Sequence, residues 1–205
     1  MSSSISTHAE HYDPQASKFG MWLFIFTEIL LFGGLFIVYS TYRYVYNDAF
    51  HLAARELNLV AGTINSIILL FSSTTVSMAI SALQKGDKAM SKGFIAATII
   101  LGIIFLVNKY FEWGVKIEHG LYPGSDILAS FGFGDTLFFG LYFAMTGLHA
   151  LHMVIGIVIW IFAYVYIVKG KTHQNKPTLV ENAGLYWHLI DVIWIFLFVL
   201  FYLIT

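Results

Sequence analysis

Five stretches of this chain are each long and apolar enough to cross a lipid bilayer, and together they take up most of its 205 residues. A helical span needs about 20 mostly apolar residues to traverse about 30 Å of hydrocarbon. The stretches run Lys18–Tyr46, Leu57–Leu83, Lys92–Glu118, Asp135–Val168 and Glu181–Ile204. They are continuous rather than alternating segments of about ten residues, which argues against a transmembrane barrel. The fourth exceeds what a bilayer requires, so it tilts or projects. Charged residues make up 11% of the chain, less than half the roughly 25% with which a soluble domain covers its surface. Disorder is excluded by the same balance, because it needs low hydrophobicity and high charge. A net charge of −1 argues against nucleic acid as a partner. The absence of Cys removes disulfides, thiolate metal sites, iron–sulfur clusters and Cys nucleophiles. The expected fold is all-α, a polytopic membrane bundle of five transmembrane helices.

Residues 1–17 are polar and lack a basic region followed by an apolar core, so they read as a surface tail and not as a cleaved signal peptide. Residues 18–205 form a single transmembrane domain with short links; only Lys116–Gly134 reaches loop length. Basic residues near the span ends set the orientation. Lys18, Lys85, Lys88, Lys92, Lys169, Lys171 and Lys176 lie on the N-terminal side, against Arg43, Arg55, Lys109 and Lys116 opposite. The N-terminus is therefore expected in the cytoplasm and the C-terminus outside.

Ionisable groups at bilayer depth are costly and need a reason. Glu28 lies about 15 Å into the first span, at about 1.5 Å per residue. Asp191 lies at a similar depth in the fifth span, His149 and His152 sit midway along the fourth, and His188 precedes Asp191 by three residues. Each three-residue pair shares a helix face, as do Trp187 and Trp194. A carboxyl that stays protonated at that depth can donate a hydrogen bond to a neutral His or a lipid phosphate. Structural readings stand beside the functional ones. An isolated Glu can simply bond a neighbouring helix, and the His pair can act as interhelical glue. Ser66, Ser72, Ser73, Thr74, Thr75, Ser77 and Ser81 read as small residues that let helices approach closely. His149 and His152 miss the i, i+4 zinc spacing. A bis-His haem would need an opposing His, which His188 could supply, but no second half-site repeats the pattern. No phosphate loop or hydrolase triad appears. The chemistry is that of a membrane bundle with a lipid- or proton-handling interior and no evident redox centre.

Five motifs resemble subunit III of the haem–copper respiratory oxidases, in its five-helix form. Lys18-Phe-Gly-Met-Trp-Leu-Phe-Ile-Phe-Thr-Glu28-Ile-Leu-Leu-Phe32 is similar to the family's Lys-x-Gly…Ser-Glu…Phe, with Thr27 for the commoner Ser. Asn65-Ser-Ile-Ile-Leu-Leu-Phe-Ser72-Ser73 resembles Asn-Thr-x-x-Leu-Leu-x-Ser-Ser, and Lys109-Tyr-Phe-Glu112-Trp113 resembles Gln-x-x-Glu-Tyr/Trp, with Lys109 replacing Gln. Thr146-Gly147-Leu-His149-Ala-Leu-His152-Met-Val-Ile-Gly156 resembles Thr-Gly-x-His-Gly-x-His-Val-x-x-Gly, departing at Ala150 and Met153. Glu181, then Tyr186-Trp187-His188-Leu-Ile-Asp191-Val-Ile-Trp194, resembles Glu…Tyr-Trp-His-Phe-Val-Asp-Val-Val-Trp. Longer members carry two further N-terminal helices across a lipid-filled cleft; this chain starts where their third helix would.

The resemblance implies a subunit with no haem, copper or other metal of its own. It would pack beside oxidase subunits I and II, which hold those cofactors, and support O2 reduction and proton pumping. Its implied contribution is to assembly, structural phospholipid and proton entry, with cytochrome c as the expected donor and a bacterial plasma membrane as the expected site. A larger respiratory assembly is a further expected partner. Glu28 matches the family's buried carboxyl, with His149, His152, His188 and Asp191 expected as its polar surroundings, and these residues and Glu112 are the proton-handling or lipid-associated candidates. Asn65, Trp113, Gly147, Gly156, Glu181, Trp187 and Trp194 are motif residues expected to be structural. The alternatives are a quinol oxidase subunit of the same superfamily and a proton-coupled transporter. A transporter would usually show internal repeats or Pro-broken spans, whereas Pro14, Pro123 and Pro177 all lie outside the spans.

Overall fold

A computed structural model describes residues 14–173 and 177–203. Its helices are α1 (Pro14–Val45), α2 (Asn47–Ala54), α3 (Leu59–Gln84), α4 (Lys88–Glu118), α5 (Asp126–Phe131), α6 (Phe133–Val168) and α7 (Thr178–Phe198), and α7 runs on into a π-helical turn (Val199–Leu203). No strand occurs among the described residues. α1, α3, α4, α6 and α7 with its π turn are long and apolar enough to cross a membrane, in the order expected. Most of the expected N-terminal tail, and Lys176, lie outside the described residues; α1 begins at Pro14, four residues before the expected span.

Local chemistry sets the ends. Asn58 caps α3 by accepting from the Ala61 amide at 3.1 Å, and Asp87 caps α4 from Met90 at 2.9 Å, each filling a donor that helix geometry leaves unpaired. The Asp87 cap starts α4 four residues ahead of the expected Lys92. Gly86, at φ +85°, turns the chain between the two helices, and the Asp87 amide reaches back to the Ala82 carbonyl at 2.9 Å. That closure makes α3 and α4 a tight antiparallel hairpin.

α6 and α7 pack onto this hairpin, while α1 lies outside, mainly against α7. The central window of α7 is 56% buried and that of α1 only 11%. Trp187 marks the centre. A Cβ on Gly102 of α4 would come within 2.9 Å of its ring, and one on Gly156 of α6 within 3.0 Å. The indole therefore fills a slot that only glycine leaves open on both walls.

α3 meets α7 through hydroxyls. Trp194 Nε1 donates to Ser66 at 3.0 Å, Trp187 Nε1 to Ser72 at 2.8 Å, and Ser73 bonds His188 Nδ1 at 2.7 Å. The serines are thus specific partners as well as small residues. Two short helices join the expected spans. α2 seats Phe50 against Tyr39 and Phe138, and α5, capped by Ser125, occupies the long loop.

Candidate functional site

The ionisable candidates do not converge on Glu28; they fall into three groups. In the first, His152 Nδ1 donates to the Leu148 carbonyl one turn back at 2.7 Å. This leaves Nε2 facing α1, 3.0 Å from Glu28 Oε2, with both side chains 12% exposed. No hydrogen bond joins the two atoms, so the pair is a close contact rather than an aligned hydrogen bond. Because a carbonyl can only accept, Nδ1 keeps its hydrogen, and the pair can hold one further proton on either the carboxyl or the imidazole. Phe32 covers the His152 ring edge-on at 5.4 Å, and Tyr186 donates to the His152 carbonyl at 3.1 Å.

The second group joins α7 to its neighbours. His149 points away from Glu28 and donates from Nε2 to the Ile190 carbonyl at 3.2 Å, packed between Phe105 and Trp194. His188 bonds Ser73. Asp191 is 5% exposed, with the Ser73 hydroxyl as its polar neighbour.

The third group sits toward the opposite end of the bundle. Glu112 is held by three groups, of which only Lys109, standing where the family has Gln, is near it in the sequence. The Lys109 ammonium donates to Glu112 Oε2 (3.1 Å), Tyr142 (3.0 Å) and Tyr202 (2.6 Å). Tyr142 in turn donates to Glu112 Oε1 at 2.6 Å, and Tyr202 donates to the same oxygen. All three ammonium hydrogens are used, at 2% exposure, and the ammonium lies 5.1 Å from the Trp194 ring centre. A Lys–Glu pair three residues apart inside an apolar run was the available signal. Tyr202 reaches the cluster from the π turn, which the sequence does not announce.

The remaining motif residues bind helix to helix. Asn65 accepts from Asn108 at 3.1 Å, joining α3 to α4. Trp113 packs on Phe143 and lies over Gly147. Glu181 takes Lys18 at 2.8 Å and Gln84 at 3.0 Å, tying α1, α3 and α7 together at one end. Among the described residues, no three His, Asp or Glu side chains gather as metal ligands.

The family model described as cytochrome c oxidase subunit III matches residues 2–205. The chain belongs to that family. A cytochrome c oxidase subunit 3 of Corynebacterium diphtheriae is 31% identical over 93% of this chain and 89% of the relative. A probable quinol oxidase subunit 3 of Staphylococcus aureus is 29% identical over 94% of this chain and 91% of the relative. A heme-copper oxidase subunit I+III of Aeropyrum pernix is 25% identical over 96% of this chain and 24% of its own greater length. The chain is accordingly a haem–copper oxidase subunit III, an integral membrane part of an oxidoreductase complex, and the transporter reading is not favoured.

Proposed function

We propose that this subunit III braces the catalytic subunit of a bacterial plasma-membrane oxidase and keeps a proton-holding pair, Glu28 and His152, beside its proton supply. The single observation that carries this reading is the 3.0 Å Glu28–His152 contact, made at bilayer depth by the least buried helix of the bundle. A carboxyl and an imidazole this close can pass a proton between them once the ring turns into line. Subunit I is the proposed neighbour, supported by the relative in which subunits I and III share one name and one chain; subunit II completes the assembly. O2 chemistry then belongs to haem and copper in those partners. The excess of Lys on one side supports a cytoplasmic N-terminus, and structural phospholipid is a further expected associate.

Glu28→Gln in the assembled oxidase tests the pair. Assembly should persist, while sustained turnover or proton uptake changes; unchanged pumping and unchanged working lifetime would reduce Glu28 to a packing residue. Cytochrome c is the proposed donor, after the name of the Corynebacterium relative. The Staphylococcus relative supports a quinol as the second reading, and steady-state assays with each reductant decide between them.

A further inference from the structure

Beyond the Asn65–Asn108 bond, toward the end of the bundle where α3 begins and α4 finishes, a cleft of about 380 Å³ opens between the two helices. Ile64, Phe111 and Val115 form exposed apolar rims at 47%, 66% and 50% exposure. A recess of about 400 Å³ shares Asn58, Val115 and Lys116 with the cleft and extends to His119.

Lys116 is 7% exposed and lines both spaces. One of its ammonium hydrogens goes to the Glu56 carbonyl, and no carboxylate lies within ion-pair distance of it among the described residues. Two of its donors are left without a hydrogen-bond partner among the described residues. Glu112, which shares the cleft, attracts Lys116 only through space, because Lys109, Tyr142 and Tyr202 engage both of its oxygens. Glu56 also borders the recess, but its side chain is exposed and makes no ion pair there. His119 donates from Nδ1 to the Val115 carbonyl at 2.6 Å, which leaves Nε2 for a ligand.

A buried cation with no carboxylate in contact is costly, and this one lies in the last turn of a helix long and apolar enough to cross a membrane, where a lipid headgroup would stand. We infer that the α3–α4 cleft binds one phospholipid, its phosphate on the Lys116 ammonium and an acyl chain along Ile64, Phe111 and Val115. The apolar rims select a lipid over free phosphate, which has no use for them. This site deepens the lipid-holding part of the proposed function and rests on that reading. It is independent of the Glu28–His152 pair, so turnover of Glu28→Gln and lipid counts at Lys116 fail separately.

The test is native mass spectrometry of the whole oxidase carrying this chain, extracted in mild detergent from membranes of phosphatidylglycerol and phosphatidylethanolamine. Lys116→Met should remove one retained phospholipid per chain, and Lys116→Arg should keep it. Ala61→Phe, which fills the cleft and leaves Lys116 in place, should remove the same lipid. Should Lys116→Met fail to assemble because Glu56 loses its donor, Ala61→Phe carries the test alone. Added inorganic phosphate should not displace the lipid. Undiminished lipid counts in Ala61→Phe and Lys116→Met, or a partner subunit's acidic side chain seated on Lys116 in a map of the complex, would overturn the inference.

Discussion

Replacing Lys109 by Met should destabilise the bundle by about 3–5 kcal/mol, the usual cost of stripping one partner from a buried ion pair. The substitution removes the only group among the described residues that is bonded to Glu112 Oε2, in a side chain 4% exposed. The carboxylate then keeps only the two tyrosine hydroxyls on Oε1. Those hydroxyls also lose an ammonium donor each, at about 1 kcal/mol per bond. The double variant Lys109→Met/Glu112→Leu removes both charges. Tyr142 and Tyr202, whose hydroxyls already stand 3.4 Å apart, can then bond each other. Its cost should fall below about 2 kcal/mol, since paired removal of buried charges is often close to neutral. The double variant is then at least about 1 kcal/mol less costly than Lys109→Met alone, so the two positions are coupled. Reversible unfolding in SDS, followed by tryptophan fluorescence, reads the cycle, with Trp194 beside the ammonium as local reporter. Single variants whose costs simply add in the double variant would refute the reasoning, as would a Lys109→Met protein within about 1 kcal/mol of the parent.

Two further outcomes are expected. Gly156→Ala places a Cβ 3.0 Å from the Trp187 ring and should cost about 1–3 kcal/mol through overpacking, read as a lower melting temperature in detergent; an unchanged melting temperature contradicts the slot. Lys18→Met removes an ion pair whose Lys is 50% exposed, so global stability should fall by less than about 1 kcal/mol. Hydrogen exchange should nonetheless quicken in the first turns of α1, and unaltered exchange there would show that the clamp on Glu181 contributes nothing.

The five spans were legible because hydropathy summed over more than 20 residues outweighs any local ambiguity. α2 and α5 were not, because helices of eight and six residues owe their order to packing such as Phe50 on Phe138. The depth of Glu28 could be counted from the sequence, but its choice of partner could not. His149 and His152 lie three residues apart, about 60° around the helix, and that rotation sends one to the α7 backbone and the other to α1. Spacing placed Trp187 and Trp194 on one face. Which serines answer them depends on the register between α3 and α7, which no single helix encodes. The Lys109 cluster was half visible: the charged pair is adjacent in sequence, whereas Tyr202 enters through a π turn.

α1 is fastened to the bundle mostly by polar clasps. Lys18 grips Glu181, Glu28 meets His152, and Tyr39 donates to the Leu200 carbonyl at 2.6 Å. Between those clasps its flank is largely apolar and exposed, and lipid tails or detergent compete for such a surface on nearly equal terms with a neighbouring helix. Asn182 adds a fourth clasp, donating to the Ser17 hydroxyl at 3.0 Å, and the helix behaves as a strap held at separate buckles. Solubilisation will peel it before it disturbs α7, and the order in which the buckles open decides how far the polypeptide unravels.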